Sequence, residues 1–367
     1  MVRFRAAVLH GTGRRLAIEE ATLPGPAPHE VLVRNHASGL CHTDLEVIEG
    51  HLGYPLPIVL GHEGAGIVEA VGSAVTTVRV GDPVIASWNP ACGHCFYCAH
   101  DEPVLCEPFR RHQPRGRMLD GSTRLGLGGH ALHHFGVVSS HAEYSMLPES
   151  GAIPVPRDMP LDRACLIGCG VMTGVGAVMR LARPAAGASI AVVGCGAVGL
   201  NVVQGAVLAG AGRIIAVDRD PVRLVRAQRF GATDAVLAVD GADDASRALT
   251  GGRGADAVFE CAGNEPAMQL ALDITRPGGQ LVILGKVPVD RKVSFRFGAL
   301  MGEKRITRSS YGGARPARDF PWLAQLYLDG KLELDELITS RLPLERINDG
   351  FEAMRRGEGI RTVVELA

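Results

Sequence analysis

Cys41 and His62 place a soft thiolate and an imidazole inside one stretch, CHTDLEVIEGHLGYPLPIVLGHE, running from Cys41 to Glu63. That pair suits zinc. Thr43, Asp44 and Glu46 lie between them and Glu63 follows directly; near a metal such groups orient a ligand or move a proton. Two ligands do not make a site, so a third must come from elsewhere. A second set is denser. Cys92, Cys95, Cys98 and Cys106 can close a tetrahedron around zinc, and a site of four cysteines is structural because no position stays open. The same ligand set can also hold an iron–sulfur cluster.

A third motif is Gly194-Cys195-Gly196-Ala197-Val198-Gly199. Alone, G-x-G-x-x-G means little in a chain with 47 glycines. Here it follows an apolar strand, Ser189–Val193, and opens a helical stretch, the context of a dinucleotide site. The first Gly allows the turn, the second admits pyrophosphate, and the third lets helix pack on strand. The helix N-terminus adds free N–H groups for the phosphates. The next strand ends in Asp218, about 20 residues on, where a carboxylate binds a ribose 2′-OH and repels a 2′-phosphate. That favours NAD over NADP, with Arg219 the one neighbour that could meet a phosphate.

These groups need a scaffold. The 367 residues are 46% hydrophobic and 21% charged with net charge −1, an ordinary globular composition for two domains. No run of like charge suggests nucleic-acid or membrane-surface binding. The N-terminus, MVRFRAAVLH, does not read as a signal peptide. The apolar segment Ile190–Gly210 carries Asn201, Gln204 and five glycines, so it reads as buried strand–turn–helix rather than a membrane span. Clustered cysteines without a secretion signal point to metal and to the cytoplasm. Residues 1–90 read as a β-rich domain, with strands at Arg5–Leu9, Glu30–Asn35, Gly66–Val71 and Asp82–Ser87. Residues 90–140 read as irregular, a long loop that the four cysteines would keep ordered. From Ala164 to about Ser310, strands alternate with helices, which implies a parallel sheet. Two amphipathic helices, Asp319–Asp329 and Leu344–Arg356, precede a terminal strand, Arg361–Leu366.

Cys169, in Leu166-Ile-Gly-Cys-Gly-Val-Met-Thr-Gly174, would alone be a small buried residue. With Gly39-Leu-Cys41-His-Thr-Asp44, Gly61-His-Glu-Gly-Ala-Gly66, the Cys92–Cys106 cluster, Gly168-Cys-Gly170, the Gly194–Gly199 turn and Ile360-Arg-Thr-Val363, it makes the chain resemble the zinc-containing medium-chain alcohol dehydrogenases from end to end. The resemblance implies an α/β protein: a GroES-like β-rich catalytic domain over 1–170 and 311–367, with a structural-zinc lobe near 90–107, and a Rossmann doubly wound parallel-sheet domain over 171–310. It implies catalytic zinc on Cys41, His62 and Cys169 and a second, structural zinc on the four cysteines. It gives Glu63 a place behind the metal and Asp44 a place orienting the histidine. It gives His42 and Arg361 pyrophosphate contacts, Thr173 a place near the nicotinamide, and Arg223 a place by the adenosine ribose. Zinc is a Lewis acid that acidifies a hydroxyl, readying an alcohol for hydride loss. Thr43 would take the proton; Glu46 stands where many relatives carry a histidine that receives it.

Within the family, the long stretch Cys106–Tyr144 resembles the liver-type and glutathione-dependent formaldehyde dehydrogenase branches and implies a homodimer through edge strands near Met301–Ser310. Arg110 matches an anion-binding arginine of the formaldehyde branch, but the acidic residues of that branch between Gly50 and Pro57 are absent. Trp88 matches a position facing substrate; with Leu52 and Leu56 it suggests a primary alcohol with an apolar or aromatic tail, as in the aryl-alcohol branch. The alternatives are oxidation of a thiol–formaldehyde adduct and, from another class, a non-catalytic cofactor-binding protein.

Overall fold

The strand Glu30–Gly39 is the spine of the first of two units. The computed structural model describes residues 1–366 and divides into Met1–Cys169 with Arg315–Ala367, and Gly170–Ala314. In the first unit, Glu30–Gly39 pairs antiparallel with Glu63–Val71, Tyr144–Pro148 and Arg361–Glu365. Pro83–Ala86, Ala152–Pro154 and Ile338–Pro343 complete this seven-stranded sheet. Its register sets Gly39 opposite both Glu63 and Val363. A side chain at Gly39 would run into Glu63 Oε2, so only glycine lets these strand ends close up.

A second sheet of the same unit rests on Val2–Leu9, paired over seven residues with Ala17–Leu23. The sequence reading started the first strand three residues late and missed the second. Ala17–Leu23 does not alternate cleanly, and its partner decides its conformation. Phe4, Leu23, Leu32, Phe109, Leu132 and Met146 share one core cluster, against which Cys92, Cys95 and Cys98 pack. Burying a side chain such as Leu132 contributes roughly 1.5–3 kcal/mol. That core gives the cysteine-rich segment its footing; residues 90–140, expected to be irregular, carry short helices and two-residue strands.

The second unit is a parallel six-stranded sheet. Its order is Asp234–Leu237, Arg213–Asp218, Ser189–Val193, Ala255–Glu260, Thr275–Ile283, Arg305–Arg308. In sequence order that is 3-2-1-4-5-6, the doubly wound arrangement of dinucleotide-binding folds. Ile190–Val193 and Ile214–Val217 are buried throughout, as strands covered on both faces must be. The helical run Leu161–Ala182 is long and apolar enough to cross a membrane, but 78% of its apolar window is buried inside the protein, as in a core helix.

Candidate active site

Cys41, His62, Glu63 and Cys169 come together in the first unit, with one potential ligand atom from each within 4.8 Å of all the others. Each is placed by its own local structure. Cys41 caps the helix His42–Glu49, and its N–H donates to Asp44 Oδ2 at 3.2 Å, a carboxylate at the third helical position holding the cap. His62 follows Gly61, whose φ of 93° is open to glycine and whose Cβ would strike His141. Asp44 Oδ1 accepts the Gly61 N–H at 3.0 Å and faces His62 Nδ1 at 3.3 Å. The carboxylate therefore fixes the proton on Nδ1 and leaves Nε2 as a ligand atom.

The electrostatics match a cation site. A hydrogen bond from Cys169 and the neighbouring His62 hold the Cys41 thiol well below its ordinary range, while the same hydrogen bond raises Cys169. Burial alone would depress His62, but Asp44 and Cys41 raise it. Burial pushes the Glu63 carboxyl up to about 7 against the pull of Arg361. Arg361 lies on Glu63 Oε2; Glu63 Oε1 is buried with no hydrogen-bond partner. Two thiols, a bare imidazole nitrogen and an orphaned carboxylate oxygen fit a divalent cation, and the sulfur–nitrogen character fits zinc.

Around this cluster, Phe135 and Trp88 turn ring edges to the His62 imidazole at 5.5 and 6.5 Å. Tyr54 backs Phe135 at 5.0 Å and Phe109 backs Trp88 at 6.0 Å. Leu52, Tyr54 and Leu56 pack on the core cluster that contains Phe135. Phe135 and Tyr54 escaped the sequence reading; nothing in the spacing of residues 90–140 marks Phe135 as a neighbour of His62. Thr43 and Glu46 are half-buried, three positions apart on one helix and so on one face. His42 is exposed at its first turn, and Arg110 is exposed at the end of the short helix Glu107–His112.

Cys92, Cys95, Cys98 and Cys106 form a second group with the same mutual reach. Backbone N–H groups already point at the sulfurs: Cys92 to Cys106 at 3.3 Å, Cys95 to Cys92 at 3.3 Å, and Glu107 to Cys95 at 3.5 Å. The Glu107 N–H brings the Cys95 thiol down to about 6, whereas burial pushes Cys106 up to about 12. Four sulfurs so arranged fit one closed tetrahedral ion.

In the second unit, Gly194 turns at φ 95°, and a Cβ there would meet Ala262 N at 2.6 Å. At Gly199 a Cβ would collide with the Gly194 carbonyl. At Gly196 a Cβ meets nothing within 4 Å, so the protein's own packing does not require glycine there. Close approach of a pyrophosphate does, and this cradle fits a dinucleotide. Asp218 ends its strand, buried, accepting N–H bonds from Cys195 at 2.7 Å and Asp220 at 3.0 Å. Both carboxylate oxygens keep a lone pair for a ribose hydroxyl. Arg223 stands 3.6 Å from Asp220, and Thr173 is buried on the helix Met172–Gly176.

A family model described as the alcohol dehydrogenase GroES-like domain matches residues 27–157, and one described as zinc-binding dehydrogenase matches residues 197–329. Alcohol dehydrogenase class-3 of Myxine glutinosa is 38% identical over 371 residues, spanning 100% of this chain and 98% of its own. The S-(hydroxymethyl)glutathione dehydrogenase of Paracoccus denitrificans is 39% identical over 373 residues, spanning 99% and 100%. Among solved structures, an alcohol dehydrogenase zinc-binding domain protein from Burkholderia ambifaria matches with TM-score 0.95 at 39% identity, over 100% of this chain and 99% of its own. Benzyl alcohol dehydrogenase from Acinetobacter calcoaceticus matches with TM-score 0.94 at 31% identity, over 100% of both. Identity of this order over the whole length makes the chain a member of the zinc-dependent alcohol dehydrogenase family, oxidoreductases that use NAD.

Proposed function

We propose that this alcohol dehydrogenase interconverts aldehydes and primary alcohols with an apolar or aromatic tail. The observation that carries the reading is the aromatic wall on the His62 imidazole, formed by Phe135 and Trp88 and backed by Tyr54 and Phe109. Rings presenting edges and faces around a polar centre hold an aryl or alkyl tail and leave the hydroxyl at the cluster. Cys41, His62 and Cys169 would hold catalytic zinc, the four cysteines structural zinc, and the Gly194–Gly199 turn with Asp218 the NAD. When bound, these groups supply a Lewis acid that lowers the pKa of a substrate hydroxyl and a nicotinamide that accepts hydride.

The chain's own residues do the rest. Asp44 holds His62 in one tautomer, and Arg361 holds the Glu63 carboxylate. Thr43 Oγ1 would accept the hydroxyl proton while giving up its own, and Glu46, on the same helix face, would receive that proton and release it outward. The four aromatic rings exclude water from the reacting carbon. NAD+ reduction should be measured with benzyl, long-chain and ethyl alcohols. A kcat/KM for the first two above that for ethanol by about tenfold or more is expected; equal values would discard the apolar pocket.

Arg110, Arg111 and Arg115 favour a second reading. These three exposed cations sit within six residues of sequence next to Phe109, and they suit the carboxylates of a thiol–formaldehyde adduct. The named activity of the Paracoccus relative lies in this direction. The segment His51–Leu56 carries no carboxylate for the adduct's amino group. Formaldehyde assayed with and without glutathione or other thiols separates the two, since only the adduct reading needs the thiol.

A homodimer belongs to the same proposal. Arg305–Arg308 is an edge strand of its sheet, with Phe297, Met301 and Ile306 exposed beside it, a surface suited to a second copy. Ile306→Lys should shift sedimentation toward the monomer. A cytoplasmic location, read from the cysteine usage, completes it.

A further inference from the structure

Asp44, which holds the ligand histidine, is itself faced by a second imidazole. His141 is buried with no measurable exposure, as is Asp44. Its Nδ1 lies 3.0 Å from Ser38 Oγ, and Ser38 Oγ lies 2.7 Å from Ser140 Oγ. Its Nε2 lies 3.8 Å from Asp44 Oδ1 and has no hydrogen-bond partner. The ring is confined. Phe351 packs edge-on at 5.9 Å, and Gly61 is so close that a Cβ there would come within 2.6 Å of Nδ1.

Keeping a ring nitrogen from water without a partner is costly, so this position calls for a reason beyond filling space. Burial keeps the imidazole neutral, pushing it down to about 4 despite Asp44. If Ser140 donates to Ser38 and Ser38 donates to Nδ1, the single ring proton falls on Nε2. That N–H faces Asp44 Oδ1, the same oxygen that faces His62 Nδ1. In a dry site, an oriented N–H dipole acts on a carboxylate more strongly than it would in water.

We propose that His141 is a positioning residue for the metal site: its Nε2–H dipole, 3.8 Å from Asp44 Oδ1, acts on the carboxylate electrostatically and so keeps it aimed at His62. The serines set the His141 tautomer, His141 steadies Asp44, and Asp44 sets the His62 tautomer. This rests on the reading that Cys41, His62 and Cys169 hold zinc.

The test compares the purified holoenzyme with His141→Phe, which fills the space without a donor, and His141→Gln, which restores one. Total zinc is measured first, then release of each metal to a chelator, then the visible spectrum after cobalt exchange into the catalytic site. His141→Phe should loosen that metal by about 10–100-fold, the range for groups that orient a ligand, and should move the cobalt bands. His141→Gln should recover most of both, and the four-cysteine metal should leave at the wild-type rate throughout. Wild-type release and spectrum in His141→Phe would overturn the inference, as would equal failure of the two variants, which would assign His141 to packing. If the wild type holds zinc only in the four-cysteine set, the reading beneath falls and takes this inference with it.

Discussion

The two thiol clusters solve opposite problems. Cys92, Cys95, Cys98 and Cys106 come from one short segment, all offer sulfur, and take N–H bonds from that segment's own backbone. Cys41, His62 and Glu63 come from one stretch and Cys169 from far along the chain; they mix sulfur with nitrogen and include a carboxylate tied to Arg361. The first is closed and gathered locally, on a core that gives its segment footing. The second exists only because a helix cap, a glycine turn and a distant helix arrive together. A closed local set suits holding a loop, and an incomplete gathered set suits chemistry.

The contrast is sharpest when one ligand is removed from each. Cys169→Ser should drop zinc from two per chain to one and cut kcat/KM by about 10³-fold, several kcal/mol at ~1.4 kcal/mol per tenfold. Folding should survive, because the helix and the strands that carry this cluster are held by their own buried packing. Near-wild-type turnover would break the comparison. Glu63→Gln comes next. It strands the buried Arg361 charge, so it should cost about 3–5 kcal/mol in a denaturant titration. A loss below 1 kcal/mol would show that the pair contributes little. Cys106→Ala should do the reverse of Cys169→Ser: lower Tm by about 2–4 °C per kcal/mol lost, with activity declining only as the 90–140 segment loosens.

Two smaller effects refine the picture. His134 lies within residues 90–140, buried, with Nε2 accepting the Arg124 N–H at 3.0 Å. Burial pushes it down to about 3, against roughly 6.5 when unfolded. The unfolded chain therefore binds this proton first. His134's contribution to stability is complete above pH 6.5 and falls as pH drops from there toward 3, by at most about tenfold in the folding constant per pH unit. His134→Phe should flatten that slope in urea titrations at pH 7 and pH 5. Glu46→Ala should give the smallest change, a displaced acidic limb in the pH–rate profile and a loss below the ~10²-fold of a direct general base. An unchanged profile would leave Glu46 out of the proton path.

What could be read from the chain follows the same division. The four cysteines and the glycine turn were legible because their chemistry is local: spacing alone brings the atoms together. The parallel sheet was legible because its strands alternate with helices along the chain. The strand Ala17–Leu23 was not, since its partner makes it a strand. Glu30–Gly39 runs four residues beyond its expected end at Asn35, because its last residues pair with Glu63–Gly66 and Val363–Glu365. Cys169 entered the metal set only by resemblance. Phe135 and His141 could not be placed, because each meets its partners from far along the chain.

The Arg361–Glu63 pair also sets a schedule. Its members are 298 residues apart. Translated at roughly 5–20 residues per second, Arg361 emerges about 15–60 s after Glu63. Throughout that interval the nascent chain has Cys41, His62 and then Cys169 in hand, but the glutamate behind them has no counter-ion. A chain cut short before Arg361 would therefore carry a complete donor set and an unbalanced charge at its centre.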